Sequence, residues 1–106
     1  LYAAKTLMYQ KSLNMELTII AKEDLSDYHF VQHEVLSNEI DRARRKILLD
    51  GAMALGNDYK QKVRIVFETT EGTCAVETTV WAVTNDHVEL KAGKDIPIHV
   101  IQEVVL

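Results

Sequence analysis

One cysteine, one proline and four glycines in 106 residues exclude several classes of protein. Cys74 has no partner for an intramolecular disulfide, and no second Cys or His stands at metal-knuckle spacing. Such cysteine usage suits a reducing, cytoplasmic setting. So little Pro and Gly excludes collagen-like and low-complexity chains. No apolar run approaches the roughly 20 residues of a spanning helix, so a membrane is not an expected partner. A Gly-rich phosphate loop, a Ser/His/Asp order and a helical zincin motif are also missing. The expectation is a non-enzymatic protein without a cofactor.

What is present is ordinary for a globular domain: 47% hydrophobic and 26% charged residues. A chain of this length buries roughly two-thirds of its unfolded surface, enough for one core. The net charge of −4 is unevenly spread. Residues 1–38 carry three Lys against five acids, and residues 65–106 two Lys against seven acids. Residues 39–64 carry seven bases against four acids, so only this band would steer an anionic partner. Residues 1–14 hold two Lys and no acid. They read as a leader or disordered segment, with Met15 as the alternative start of a single domain over 15–106.

Met15 to Ile20 reads as a short extended piece. Glu23, Asp24 and Asp27 crowd what would be a first helical turn, where the helix dipole favours acids. Leu36, Ile40, Ala43 and Ile47 follow at steps of four, three and four, an apolar stripe with the Arg residues largely opposite. The expectation is one long helix over about 22–55, stopped by Gly56-Asn57-Asp58.

Past Gln61 the period changes to two. Val63, Ile65 and Phe67 mark a strand with one buried face, and Glu71-Gly72-Thr73 a turn. In a long strand from Cys74 to Val83, Val76, Thr78 and Val80 share one face while Trp81 and Val83 take the other, so either both faces are covered or the strand bends near Thr78-Thr79. Thr84-Asn85-Asp86 is a tight turn. Val88 and Leu90 mark a third strand. Ile96 and Ile98 mark a fourth, placed at an edge by Pro97, which lacks an N–H. Val104 and Leu106 mark a last one after a bend at Val100-Ile101-Gln102. The expected core is Val63, Ile65, Phe67, Val76, Val80, Val88, Leu90, Ile96 and Ile98.

The stretch Lys62-Val-Arg-Ile-Val-Phe, Val76-Glu-Thr-Thr-Val-Trp-Ala-Val-Thr, His87-Val-Glu-Leu and Ile96-Pro-Ile-His-Val-Ile-Gln-Glu-Val resembles the SH3-like and Sm-like small barrels. The resemblance covers roughly 45 residues and is one of pattern. It implies an α+β fold, one long N-terminal helix followed by a five-stranded antiparallel barrel over about 62–106. The chain also looks like short bacterial proteins of unknown function, a likeness that brings no function with it. Sm-like proteins that bind RNA carry a basic residue with Gly before the last strand. Here that place holds His99-Val100-Ile101-Gln102, so the family's RNA site is not carried over.

Several side chains are candidates for chemistry. His29 and His33 stand four apart and would share a helix face, but a third metal ligand is missing nearby. His87 and His99 have no evident carboxylate partner by spacing. Cys74 lies between Glu71 and Glu77, an acidic setting that suits a buried strand residue better than a nucleophile. Arg42, Arg45, Lys46, Lys60, Lys62 and Arg64, with Arg44, form the basic band. It is the candidate for weak RNA or DNA binding, with Tyr59 and Trp81 as stacking surfaces. The stripe Leu36, Ile40, Ala43 and Ile47 runs longer than a small barrel can cover, so a second copy of the chain is the expected partner. The leading expectation is a self-associating protein-interaction module.

Overall fold

In a computed structural model, which describes residues 17–106, the chain forms one long α-helix and seven strands among those residues. The helix begins later than the acids near residue 24 suggest. Asn38 holds extended backbone and its Oδ1 accepts from the N–H groups of Ile40 (2.7 Å) and Asp41 (3.4 Å). That cap fixes the start of α1, Glu39–Tyr59. Glu23 and Asp24 instead lie in a 3₁₀ turn, Lys22–Asp27. Residues 28–38 are not helical, because other elements satisfy their backbone. Thr70 donates to the His29 carbonyl (2.7 Å), and Val35 donates to the His99 carbonyl (2.9 Å).

The far end of α1 corrects a second expectation. Gly56-Asn57-Asp58 does not stop the helix; Lys60 does, in left-handed backbone (φ 57°, ψ 30°). Gly56 serves packing. A Cβ there would sit 2.2 Å from the Val80 carbonyl oxygen and 3.0 Å from Thr79 Cγ2, so its absence lets the helix lie directly on the sheet.

The strands are β1, Thr18–Ile20; β2, Val63–Thr69; β3, Gly72–Thr78; β4, Val80–Val83; β5, His87–Leu90; β6, Lys94–Pro97; and β7, Ile101–Val105. They do not close into one antiparallel barrel. They form a four-stranded sheet in the order β1-β3-β2-β7 and a three-stranded sheet in the order β4-β5-β6. The first sheet is mixed, since β1 runs parallel to β3. The expected long second strand is broken at Thr79 into β3 and β4, which go to different sheets. Pro97 ends the edge strand β6, and a 3₁₀ turn, Ile98–Val100, separates it from β7. With no N–H at Pro97 and a turn in between, the two strands do not pair.

The core is largely apolar. Val63, Ile65, Phe67, Val76, Val80, Val88, Leu90 and Ile96 are all buried, as alternation predicts. Ile98 is only half-buried because it belongs to the 3₁₀ turn rather than to a strand. Phe30 meets Phe67 edge-to-face at 5.9 Å. The helix packs on β4 and on β7, one strand from each sheet, and so lies across the gap between them. Residues 1–14 fall outside the described part of the chain.

Candidate functional site

Two opposite faces of α1 carry the relevant side chains. Toward the sheets point Arg45, Leu49, Ala52 and Gly56, at steps of four, three and four, all buried. Toward solvent point Ile40 and Ile47, 75% and 70% exposed, with Ala43 and Ala54 exposed on the same side. The stripe expected to pack partly on the strands and partly on a second copy is therefore the outer face, and none of Ile40, Ala43 and Ile47 meets the strands. Leu36 does not belong to it: it precedes the helix, is half-buried, and its carbonyl accepts from Arg42 (2.8 Å).

Arg45 occupies the inner face because its charge is matched there. Its guanidinium grips Glu34 with both nitrogens at 2.7 Å and donates to the Ile101 carbonyl at 3.0 Å. The Arg45 hydrogen bonds hold the Glu34 carboxyl below its usual range against the opposing effect of burial. This one residue ties residues 34–36, α1 and β7 together.

The structure divides the basic band. Arg45 is buried in its ion pair, Lys46 pairs with Asp50 (3.6 Å), and Arg64 pairs with Glu77 through Nε at 3.0 Å. Arg42 and Lys60 are separated by about 27 Å of helix, from 18 residues at roughly 1.5 Å each. Lys60, Lys62 and Arg64 thus lie at the other end of α1 from Arg42, Arg44 and Lys46. No single positive surface joins all seven residues.

Among the described residues, two hollows flank the helix. A groove of about 510 Å³ runs between α1 and the edge strand β7, with Leu36, Leu48 and Val104 as its apolar lining and Asp41, Arg44 and Gln102 as its polar one. A smaller pocket of about 250 Å³ lies between α1 and the β4–β5 turn. Arg42 and Lys46 line it from the helix, Thr84 and Asn85 from the turn, above Leu49 and Val83. Thr84 and Asn85 form the expected turn, and no local feature of their sequence signals that the turn meets the helix.

Three of the four histidines, His29, His87 and His99, are structural fastenings. His29 and His33 are not on a helix, so the shared face that would have clamped a metal does not exist. His29 Nδ1 bonds Glu71 at 2.8 Å and its backbone N–H donates to the same carboxylate at 3.1 Å, which holds Glu71 down to about 2. His87 does have a carboxylate partner, the adjacent Asp86 at 2.8 Å, which raises the His87 pKa. Thr84 Oγ1 reaches the same Nδ1 at 3.1 Å, and accepts from the backbone N–H of His87 at 3.1 Å. Both side-chain contacts use one ring nitrogen, so these residues fasten a turn and are not ordered as a nucleophile, base and orienter. His99 Nε2 donates to the Val31 carbonyl at 2.8 Å. Cys74 is buried, and burial pushes its thiol up. Among the described residues no group of three His, Cys, Asp or Glu converges on a metal position, and no helix is long and apolar enough to cross a membrane. Comparison with known proteins finds no matching family, no matching curated protein and no matching solved structure.

Proposed function

We propose that the protein is a non-enzymatic interaction module that self-associates through the outer face of α1. The observation that carries this reading is the exposure of Ile40 and Ile47, two turns apart on one face, beside exposed Ala43 and Ala54. A helix already anchored by its opposite face would normally show water a polar surface. A second copy is the partner that fits, because a two-fold contact between antiparallel helices uses the same patch twice. Fully burying an Ile contributes about 1.5–3 kcal/mol, so the four isoleucines of a dimer supply roughly 4–8 kcal/mol after allowing for their existing burial. That is of the order of the cost of association, which makes the contact weak and concentration-dependent.

The strand arrangement supports the likeness to SH3-like and Sm-like barrels as a proposal about ancestry. β2 lies between β3 and β7, the chain passes from one sheet to the other at Thr79, and a 3₁₀ turn precedes β7. Weak RNA or DNA binding has less support, since the band is split and Arg45 is buried. Light scattering on the wild type and on the Ile40→Glu/Ile47→Glu double variant tests the main reading. A mass that rises above the monomer between about 10 μM and 1 mM, and does not rise in the variant, supports it. A wild type that stays monomeric throughout overturns it.

A further inference from the structure

We infer that the pocket between α1 and the β4–β5 turn binds a small phosphate monoester with a short apolar body. Arg42 and Lys46 are one helical turn apart, so their side chains rise together on one side of the pocket. Arg42 is half-buried and already oriented, since one of its nitrogens donates to the Leu36 carbonyl at 2.8 Å. Among the described residues no carboxylate lies within ion-pair distance of it. Glu34 feels its charge but is taken up by Arg45. Lys46 is held only by Asp50 at 3.6 Å in an exposed pair, which a better anion displaces readily.

On the facing wall, Asn85 brings an amide, while the Thr84 hydroxyl is held within its own turn by Asp86 and His87. Asp86, the acid next to them, is engaged by His87 at 2.8 Å and by the Thr84 hydroxyl at 3.2 Å. Three cations line this small volume; with Arg45 already matched by Glu34, Arg42 and Lys46 favour a dianion over a monoanion, and a phosphate monoester is largely dianionic at neutral pH. Leu49, Val83 and Ile98 supply an apolar floor. A volume of about 250 Å³ falls below the roughly 300–1,000 Å³ of pockets for drug-sized ligands, which leaves room for a phosphoryl group and one ring or short chain. Ile40, Ala43 and Ile47 are not among the pocket's lining residues, so this inference does not depend on self-association.

Amide chemical shifts followed during titration at fixed ionic strength test it, with phenyl phosphate, benzoate and a short single-stranded DNA as probes. Phenyl phosphate should give saturable shifts at Lys46, Thr84 and Asn85, with affinity about tenfold or more above that of benzoate. Arg42→Gln should weaken phenyl phosphate by about tenfold. Should that variant lose its fold along with its bond to Leu36, Lys46→Glu decides alone, because its side chain is exposed. Loss of binding in Lys46→Glu supports the site, and unchanged binding overturns it. Equal affinity for benzoate, shifts centred on Lys60 and Lys62, or a response to DNA alone would each overturn it as well.

Discussion

Gly56→Ala sets two physical effects against each other at one atom. Helix propensity alone favours Ala over Gly in a helix interior by about 1 kcal/mol. The Cβ that Ala adds would stand 2.2 Å from the Val80 carbonyl oxygen, with the Thr79 methyl at 3.0 Å. The first neighbour is backbone in the middle of the helix–strand contact, so relief requires α1 to lift from β4. Overpacking of this kind costs roughly 1–3 kcal/mol and sometimes more. Taking the upper end, the net effect is a destabilisation of about 2 kcal/mol, or a melting temperature lower by roughly 8–16 °C for a domain of this size. Gly51→Ala is the internal control. Its Cβ would meet only Leu106 Cδ1, at an ordinary 3.6 Å, so it should stabilise by about 0.5–1 kcal/mol. Urea unfolding of the two variants measures both signs. A Gly56→Ala protein as stable as Gly51→Ala would refute the close approach of helix and strand.

Glu34→Ala should cost about 2–3 kcal/mol, because it leaves Arg45 buried without its carboxylate; the figure is below the 3–5 kcal/mol of fully buried pairs because Glu34 keeps 32% of its side-chain surface exposed. Replacing both partners by apolar residues, Glu34→Leu with Arg45→Met, should recover most of that loss in the same denaturation assay. Glu34 and Glu71 both have depressed pKa values, Glu71 at about 2. Their contribution to stability is therefore complete above the usual carboxylate value near 4.5 and is lost as pH falls toward 2, so Glu71→Gln should flatten that part of a stability–pH curve. Cys74, buried within the β2–β3 hairpin with a raised pKa, should react with a disulfide reagent only as fast as the protein opens; immediate reaction would show the hairpin to be loose.

The strands are legible because one face of each is apolar and buried. Val63, Ile65 and Phe67, then Val88 and Leu90, keep a period of two, although Val66 and Ala75 are buried on the other face as well; the conflict between Val80 and Trp81 marks the region near Thr78-Thr79 where the expected single strand divides into β3 and β4. What lay out of reach was pairing between distant residues. Nothing local shows that Glu34 meets Arg45 eleven positions on, yet that pair makes an arginine part of the inner face of α1. With Arg45 taken as polar, Ile40 and Ile47 offered the more apolar of two stripes that have the same four-three-four spacing, and the helix was turned the wrong way round. Acids near residue 24 suit a 3₁₀ turn as well as an α-helix. The stronger start signal, Asn38 with Asp41 three residues later, sat inside what looked like continuous helix. The pocket walls at Thr84 and Asn85 were likewise invisible, because turn chemistry alone explains those residues.

Self-association through the outer face of α1 is tested most directly by isotope-filtered NOE spectroscopy on an equal mixture of labelled and unlabelled chains. Only contacts between two copies give signals in that experiment. Cross-peaks from the methyl groups of Ile40 and Ile47 to aliphatic protons of a second copy's α1, absent in Ile40→Glu/Ile47→Glu, are the expected result. Between-chain signals that arise only from elsewhere on the surface, or none at about 1 mM, would contradict the account.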